Sequence, residues 1–258
     1  MTTSETTDSS DILLADTRNR VLTLTLNRPR KRNALSEALR QALFGALAAA
    51  ESDDQIDVVV LTGADPVFCA GMDLNEFGGS DQLRYLAPEW PAMSKPVIGA
   101  INGAAVTGGL ELALYCDILI ASEDASFADT HARVGLVPTW GLSVRLPQRI
   151  GVGLARRMSL TGDYLPASEA LRAGLVTEVV PHHELLDAAQ RIADAIVNNN
   201  QAAVRTLLGL YHRIDATHVD EGLWIEAQCA QTWRRTTSHA EIAANRAAVL
   251  RRGAAQLT

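Results

Sequence analysis

Between residues 21 and 26 the chain alternates, with Leu22, Leu24 and Leu26 set against Thr23 and Thr25. A period of two predicts a half-buried strand, and Asn27-Arg28-Pro29 ends it. The spacing then changes to four. Leu39, Leu43 and Leu47 follow Ser36, which predicts an amphipathic helix over 37–51 with Ser36 as its N-cap. Val58-Val59-Val60-Leu61-Thr62 is too short an apolar run for a helix and is closed by Gly63, so it reads as a buried parallel strand. The succession recurs as a strand over 96–101 that turns at Asn102-Gly103, a helix over 109–115, and a strand at Ile118-Leu119-Ile120-Ala121. Such alternation predicts an α/β architecture with parallel pairing and right-handed crossovers. Beyond about residue 150 the pattern turns helical, over 153–160, 168–173, 183–199, 202–213, 219–234 and 239–252. Val176-Thr177-Glu178-Val179-Val180 is the one strand-like interruption. The chain therefore divides into a polar tail over 1–11, read as disordered, an α/β core over 12–198, and a helical region over 199–258 suited to oligomerisation.

The composition narrows the class. At 258 residues, 47% hydrophobic and 21% charged, the chain has ordinary globular proportions, which argues against wholesale disorder, collagen-like repeats or a disulfide scaffold. A net charge of −7 makes nucleic acid a poor partner. The one basic run, Arg28, Arg30, Lys31 and Arg32, is short enough to be a solvated loop or an anion site for a small ligand. Three widely spaced cysteines, no basic-then-apolar leader and no apolar run of roughly 20 residues lead to the expectation of a reduced, cytoplasmic protein with no membrane partner. There is no Walker A sequence, and no G-x-G-x-x-G follows a strand. Gly141-Leu142-Ser143-Val144-Arg145 lacks the second glycine of a nucleophile elbow. His182-His183, after Pro181, reads as a surface pair, with no cysteine pair to complete a zinc site, and no metal is expected.

Two segments carry candidate chemistry. Phe68-Cys69-Ala70-Gly71-Met72-Asp73-Leu74 follows the strand at 58–62, and Asn102-Gly103 through Gly108-Gly109-Leu110-Glu111-Leu112-Ala113 follows the strand at 96–101. Each puts glycine where a strand gives way to a turn or helix, so each can present bare backbone N–H groups to a developing negative charge. Glu111 is the anomaly among Leu110, Leu112, Ala113 and Leu114. It is either an exposed carboxylate on one helix face or a desolvated acid with a raised pKa, usable as a general base.

On these residues the chain resembles the crotonase (enoyl-CoA hydratase/isomerase) family. The supporting motifs are Asn27-Arg28-Pro29, Asn33-Ala34-Leu35-Ser36, Ala70-Gly71-Met72-Asp73-Leu74, Lys95-Pro96 and Asn102-Gly103. Gly108-Gly109-Leu110-Glu111-Leu112-Ala113, Cys116-Asp117-Ile118, Gly135-Leu136-Val137-Pro138 and Leu160-Thr161-Gly162 continue them in order. The resemblance implies a spiral of ββα turns with a C-terminal helical trimerisation region, a homotrimer or dimer of trimers, and an acyl-CoA substrate. It implies no separate cofactor, because coenzyme A is part of the substrate. By resemblance, the N–H groups of Met72 and Gly108 would form an oxyanion hole for the thioester carbonyl. The backbone around Arg30, Arg32, Ala34, Ala70 and Asp73, with Leu74, would hold the CoA portion. Trp140 would border the acyl pocket, either limiting acyl length or capping the core.

The activity so implied is addition of water across the C2–C3 double bond of a trans-2-enoyl-CoA, through an enolate, in fatty-acid or related acyl-CoA breakdown. Family hydratases use two glutamates, one to activate water and one to help deliver the proton to C2. Glu111 matches the first, but His131 stands where the second belongs. Histidine can move protons near neutral pH, so His131 is either an acid/base or a pocket-lining residue, with Asp129 as a displaced substitute. Two alternatives stay open: a double-bond shift or other acyl-CoA enolate chemistry, and a non-catalytic acyl-CoA-binding protein. Residues 75–95 are expected to form the other wall of the acyl site.

Overall fold

The computed structural model describes residues 12–73, 76 and 90–236. The chain begins with β1 (Leu13–Arg18) and β2 (Val21–Leu26), followed by α1 (Glu37–Ser52), β3 (Val58–Gly63) and β4 (Val97–Ile101). Next come β5 (Ala104–Val106), α2 (Gly108–Leu114), β6 (Ile118–Ser122), β7 (Ser126–Ala128) and α3 (His131–Val134). α4 (Leu142–Ile150), α5 (Val152–Thr161), β8 (Leu165–Pro166), α6 (Ala167–Ala173), β9 (Glu178–Val180), α7 (Leu185–Val197) and α8 (Gln201–Thr236) complete it.

Two sheets organise these elements. The larger runs β1-β2-β3-β4-β6-β9, parallel throughout except for the antiparallel β1–β2 pair. The smaller is β5-β7-β8. Each turn of the chain gives one strand to the large sheet, then a shorter one to the small sheet, then a helix: β4-β5-α2, then β6-β7-α3. The turn before these follows the same course, since Cys69 bridges Ala105 and Met72 bridges Leu35 in parallel fashion. The result is a spiral of ββα turns whose short strands stack at one end, and the stack is where the two glycine turns meet.

The fully apolar strands are explained by cover on both faces. Val58 and Val60 of β3, with Ile98 and Ile120, pack on Leu185, Ala188, Ala189 and Ala193 of α7. Val59 and Leu61 point the other way into the main core with Leu39, Leu43 and Leu47 of α1. Ser36 caps α1 as its sequence position predicts, its hydroxyl accepting from the Leu39 N–H at 3.2 Å. At the other end of α1, the buried Lys95 ammonium donates to the carbonyls of Ala50 at 2.6 Å and Asp53 at 2.7 Å, satisfying groups the helix leaves open.

The helices expected at 202–213 and 219–234 are one continuous helix, α8. Ile214-Asp215-Ala216-Thr217-His218, between the two segments, holds neither glycine nor proline, so nothing breaks the backbone there. β1, β5, β7 and α4 were not expected. The tail at 1–11 and the helix expected at 239–252 lie outside the described residues, as do most of residues 75–89. No helix among the described residues is long and apolar enough to cross a membrane.

Candidate active site

The site is built where the small-sheet strands hand over to helices. Leu35 N–H donates to the Gly71 carbonyl at 2.8 Å and Asp73 N–H to the Leu35 carbonyl at 3.2 Å, so this pairing passes over the N–H of Met72. Gly71 takes a φ of +89°, and a Cβ there would sit 2.9 Å from the Val106 carbonyl oxygen and 3.2 Å from the Gly108 nitrogen. Only glycine fits this approach. Gly108 opens α2 and has no i−4 carbonyl to donate to. A Cβ at Gly108 would lie 3.4 Å from the Met72 nitrogen, so the backbones of the two glycine turns meet at Met72 and Gly108. Gly109 closes the joint, because a Cβ there would overlap the Cys69 carbonyl oxygen at 2.1 Å.

The residue that aims α2 escaped the sequence reading. Thr107 has a φ of +55°, a costly conformation for a β-branched side chain. Its N–H donates to the Ala128 carbonyl at 2.8 Å, and its hydroxyl lies 2.6 Å from the Thr130 hydroxyl and accepts from the Thr130 N–H at 3.2 Å. α2 is thereby tied to the segment that carries Asp129 and His131.

Glu111 lies one turn into α2 and is 3% exposed. Its Oε1 accepts the Trp140 N–H at 2.9 Å, and its Oε2 faces His131 Nε2 at 3.9 Å. The other imidazole nitrogen, Nδ1, lies 2.7 Å from Asp129 Oδ1, and that same oxygen accepts the His131 N–H at 3.1 Å. Burial pushes the Glu111 carboxyl up to about 7, against the opposing effects of His131 and the Trp140 N–H. Burial works against a charged imidazole too, but the hydrogen bond to Asp129 and the charges of Glu111, Asp129 and Glu226 leave His131 above its ordinary value. Asp129 is desolvated, yet its contacts with His131 hold it below the usual carboxylate range. A carboxyl that titrates near neutrality therefore faces a histidine that keeps its proton longer than usual.

The remaining predicted residues fall in three places. Arg30 and Arg32 are exposed on the turn around Pro29–Lys31, while Ala34 and Ala70 are half-buried where Ala70 N–H meets the Arg32 carbonyl at 3.0 Å. Asp73 is buried and paired with Arg28 at 3.0 Å, so its carboxylate serves the protein's own loop; Arg28 also donates to the Ala34 carbonyl. Leu74 lies outside the described residues. The Trp140 side chain is buried in the main core, and what it brings to the site is its backbone N–H. Asn33, a motif residue, is buried with its amide donating to the Ala64 and Val67 carbonyls, both at 2.7 Å, and its oxygen accepting the Arg28 N–H at 2.9 Å. It pins the loop that carries Arg30, Arg32 and Ala34. His182 and His183 lie at the surface, and among the described residues no group of three His, Cys, Asp or Glu side chains is placed to hold a metal ion.

Comparison with known proteins identifies the family. The profile of the enoyl-CoA hydratase/isomerase family matches residues 16–250. A probable peroxisomal enoyl-CoA hydratase 1 of Arabidopsis thaliana is 40% identical over 226 residues, covering 85% of this chain and 82% of its own length. The 2,3-dehydroadipyl-CoA hydratase of Escherichia coli K12 is 37% identical over 223 residues, covering 84% of this chain and 88% of its own. The crystal structure of an enoyl-CoA hydratase from Mycobacterium tuberculosis H37Rv superposes with a TM-score of 0.84 at 71% identity, covering 87% of this chain and 100% of that one.

Proposed function

Because the chain belongs to the enoyl-CoA hydratase/isomerase family, we propose that it is an enoyl-CoA hydratase, adding water across the C2–C3 double bond of trans-2-enoyl-CoA thioesters. The observation that carries the reading is the facing pair, Glu111 Oε2 and His131 Nε2, 3.9 Å apart. That gap is too long for a direct hydrogen bond and leaves room for a water held about 2.8 Å from each group.

The thioester carbonyl accepts the N–H groups of Met72 and Gly108, which polarise the double bond and stabilise the enolate oxygen as charge develops. Glu111, ionised, takes a proton from water as its oxygen attacks C3. The electron pair of the double bond moves into the enolate. His131, protonated and turned by Asp129 so that Nε2 faces the site, returns a proton to C2 as the carbonyl re-forms. One hydrogen of the water stays on the new hydroxyl, and the other, held by Glu111, passes to the now neutral His131, which restores both groups for the next turnover. The backbone around Arg30, Arg32, Ala34 and Ala70 supports the CoA portion, with the arginines facing its phosphates. Coenzyme A is part of the substrate and no other cofactor takes part.

The reading extends to assembly and location. α8 exposes Leu207, Leu210, Tyr211, Ile214, Trp224 and Ile225, a face suited to assembly as a homotrimer or dimer of trimers, and the three free cysteines suit the reducing cytoplasm.

The test is loss of enoyl-thioester absorbance with crotonyl-CoA and a longer trans-2-enoyl-CoA, with 3-hydroxyacyl-CoA identified as product. Glu111→Gln is expected to lower kcat by at least about 100-fold, the usual scale of a lost acid/base group. Protein that binds acyl-CoA yet hydrates neither substrate would overturn the reading. A product with a shifted double bond would instead make it an isomerase.

A further inference from the structure

The corner that leads into α4 is held by two carboxylates from distant parts of the chain. Glu111 takes the Trp140 N–H. Glu226, on α8 and 7% exposed, takes the next available donors: Gly141 N–H to Oε1 at 2.6 Å, and Ser143 N–H to Oε2 at 3.0 Å. The Ser143 hydroxyl donates to the same Oε2. These are the open N–H groups of a helix start, where a carboxylate is favoured by both hydrogen bonding and the helix dipole. The rest of α8 is fitted to this corner. A Cβ on Gly141 would meet Leu223 Cδ2 at 2.8 Å, and one on Gly222 would meet Val144 Cγ2 at 3.0 Å, so the two helices touch through glycine on each side. Further along α8, Trp233 Nε1–H donates at 2.9 Å to the carbonyl of Gly135, which ends the helix carrying His131.

We propose that Glu226 is a positioning residue for the reaction: it fixes the Trp140–Ser143 corner, and through the Trp140 N–H it fixes the Glu111 carboxylate opposite His131. Its buried negative charge has a second effect. It disfavours ionisation of Glu111, helping to keep that group's titration near neutral pH, and it favours the protonated form of His131. Among the described residues, these charged and titratable groups act on Glu111 from the elements packed around it. Asp129 and His131 lie on the α3 side and Glu226 on the α8 side, while Tyr115 lies nearby, itself covered by the Arg145 guanidinium at 4.5 Å from its ring centre.

The effect on turnover rests on the hydratase reading, whereas the effect on Glu111 does not, so the experiment reads the two separately. In protein labelled with 15N-tryptophan, the Trp140 amide, assigned by Trp140→Phe, reports the ionisation of Glu111 through their hydrogen bond. In the wild type its shift should titrate with a midpoint near 7, and Glu111→Gln should abolish that titration. Glu226→Gln should move the midpoint toward acid by at least about 0.3 unit, a twofold change in the ionised share on the limb. It should also lower kcat about tenfold with KM unchanged, as a misplaced reacting group does. Leu223→Ala loosens the same contact without touching a charge and should leave the midpoint in place.

An unmoved midpoint in Glu226→Gln, or an equal shift in Leu223→Ala, would overturn the electrostatic half of the proposal. Should Glu226→Gln not fold, Glu226→Asp carries the test. It keeps the charge but cannot span Gly141 and Ser143, so the midpoint should hold while kcat falls. An unchanged kcat there would overturn the positioning half. Wild-type protein that shows the titration but hydrates nothing would instead count against the hydratase reading alone.

Discussion

Glu111 costs the fold stability whenever it is ionised. Its carboxyl titrates near 4.5 when unfolded and at about 7 when folded. Below pH 4.5 both states hold the proton and there is no cost. As pH rises from there through 7, the unfolded chain releases the proton first and stability is lost, levelling at about 3 kcal/mol. Glu111→Gln should therefore be inactive yet more stable than wild type above pH 7 by up to about that amount, the gain vanishing near pH 4.5. Urea denaturation at several pH values and one protein concentration would measure it. His131 carries the opposite limb. The hydrogen bond to Asp129 raises its pKa, so Asp129→Asn should lower it and draw the alkaline limb of kcat toward acid, the limbs belonging to the coupled pair. A limb that stays put would remove Asp129 from the proton path. Glu111 was legible in the sequence as an acid among leucines. Its partners were not, because Trp140 lies 29 residues away and Glu226 meets the same corner across 85, and no local spacing encodes such approaches.

At the scale of elements, the long runs were legible and the short ones were not. β3, β4, β6 and α1 follow from apolar pattern, turn residues and the Ser36 cap. β5 and β7, at three residues each, are shorter than the window in which a period can be recognised, and α4 was hidden by Pro147. β1 was missed because its residues beyond Leu13 are exposed and carry no alternation, so pairing with β2 alone defines it. The short strands position the candidate site, since β5, by bridging Cys69, brings Met72 beside Gly108. The loop over 28–35 is pinned from inside by Asn33. Asn33→Ala would leave the Ala64 and Val67 carbonyls and the Arg28 N–H without their partner, at a cost of about 3 kcal/mol. Its kinetic signature should be a raised KM for the CoA ester with kcat held, since Glu111 and His131 are untouched. A fall in kcat at constant KM would show that the loop reaches the reacting atoms rather than the CoA portion.

For the whole molecule, the question is what the long helix is for. α8 has two kinds of surface. Val219, Glu226 and Ala230 are buried, while Leu207, Tyr211, Trp224 and Ile225 are 55%, 65%, 64% and 55% exposed. The sequence pattern predicted two helices, at 202–213 and 219–234, where the structure has one, and the continuous helix is what carries Glu226 to the Trp140–Ser143 corner. If the exposed side is an interface between copies, assembly and catalysis share one rigid rod: copies grip one side of α8 and the Trp140–Ser143 corner grips the other. Scattering or sedimentation should then give three or six times 27.7 kDa. Leu207→Lys with Tyr211→Lys should lower that mass, because each buries a charge against an apolar partner surface. In the dissociated form kcat should fall more than KM rises, because the free α8 no longer holds Glu226 against Gly141 and Ser143. Full activity in a monomer would separate the two roles and leave Glu226 seated by its own chain alone.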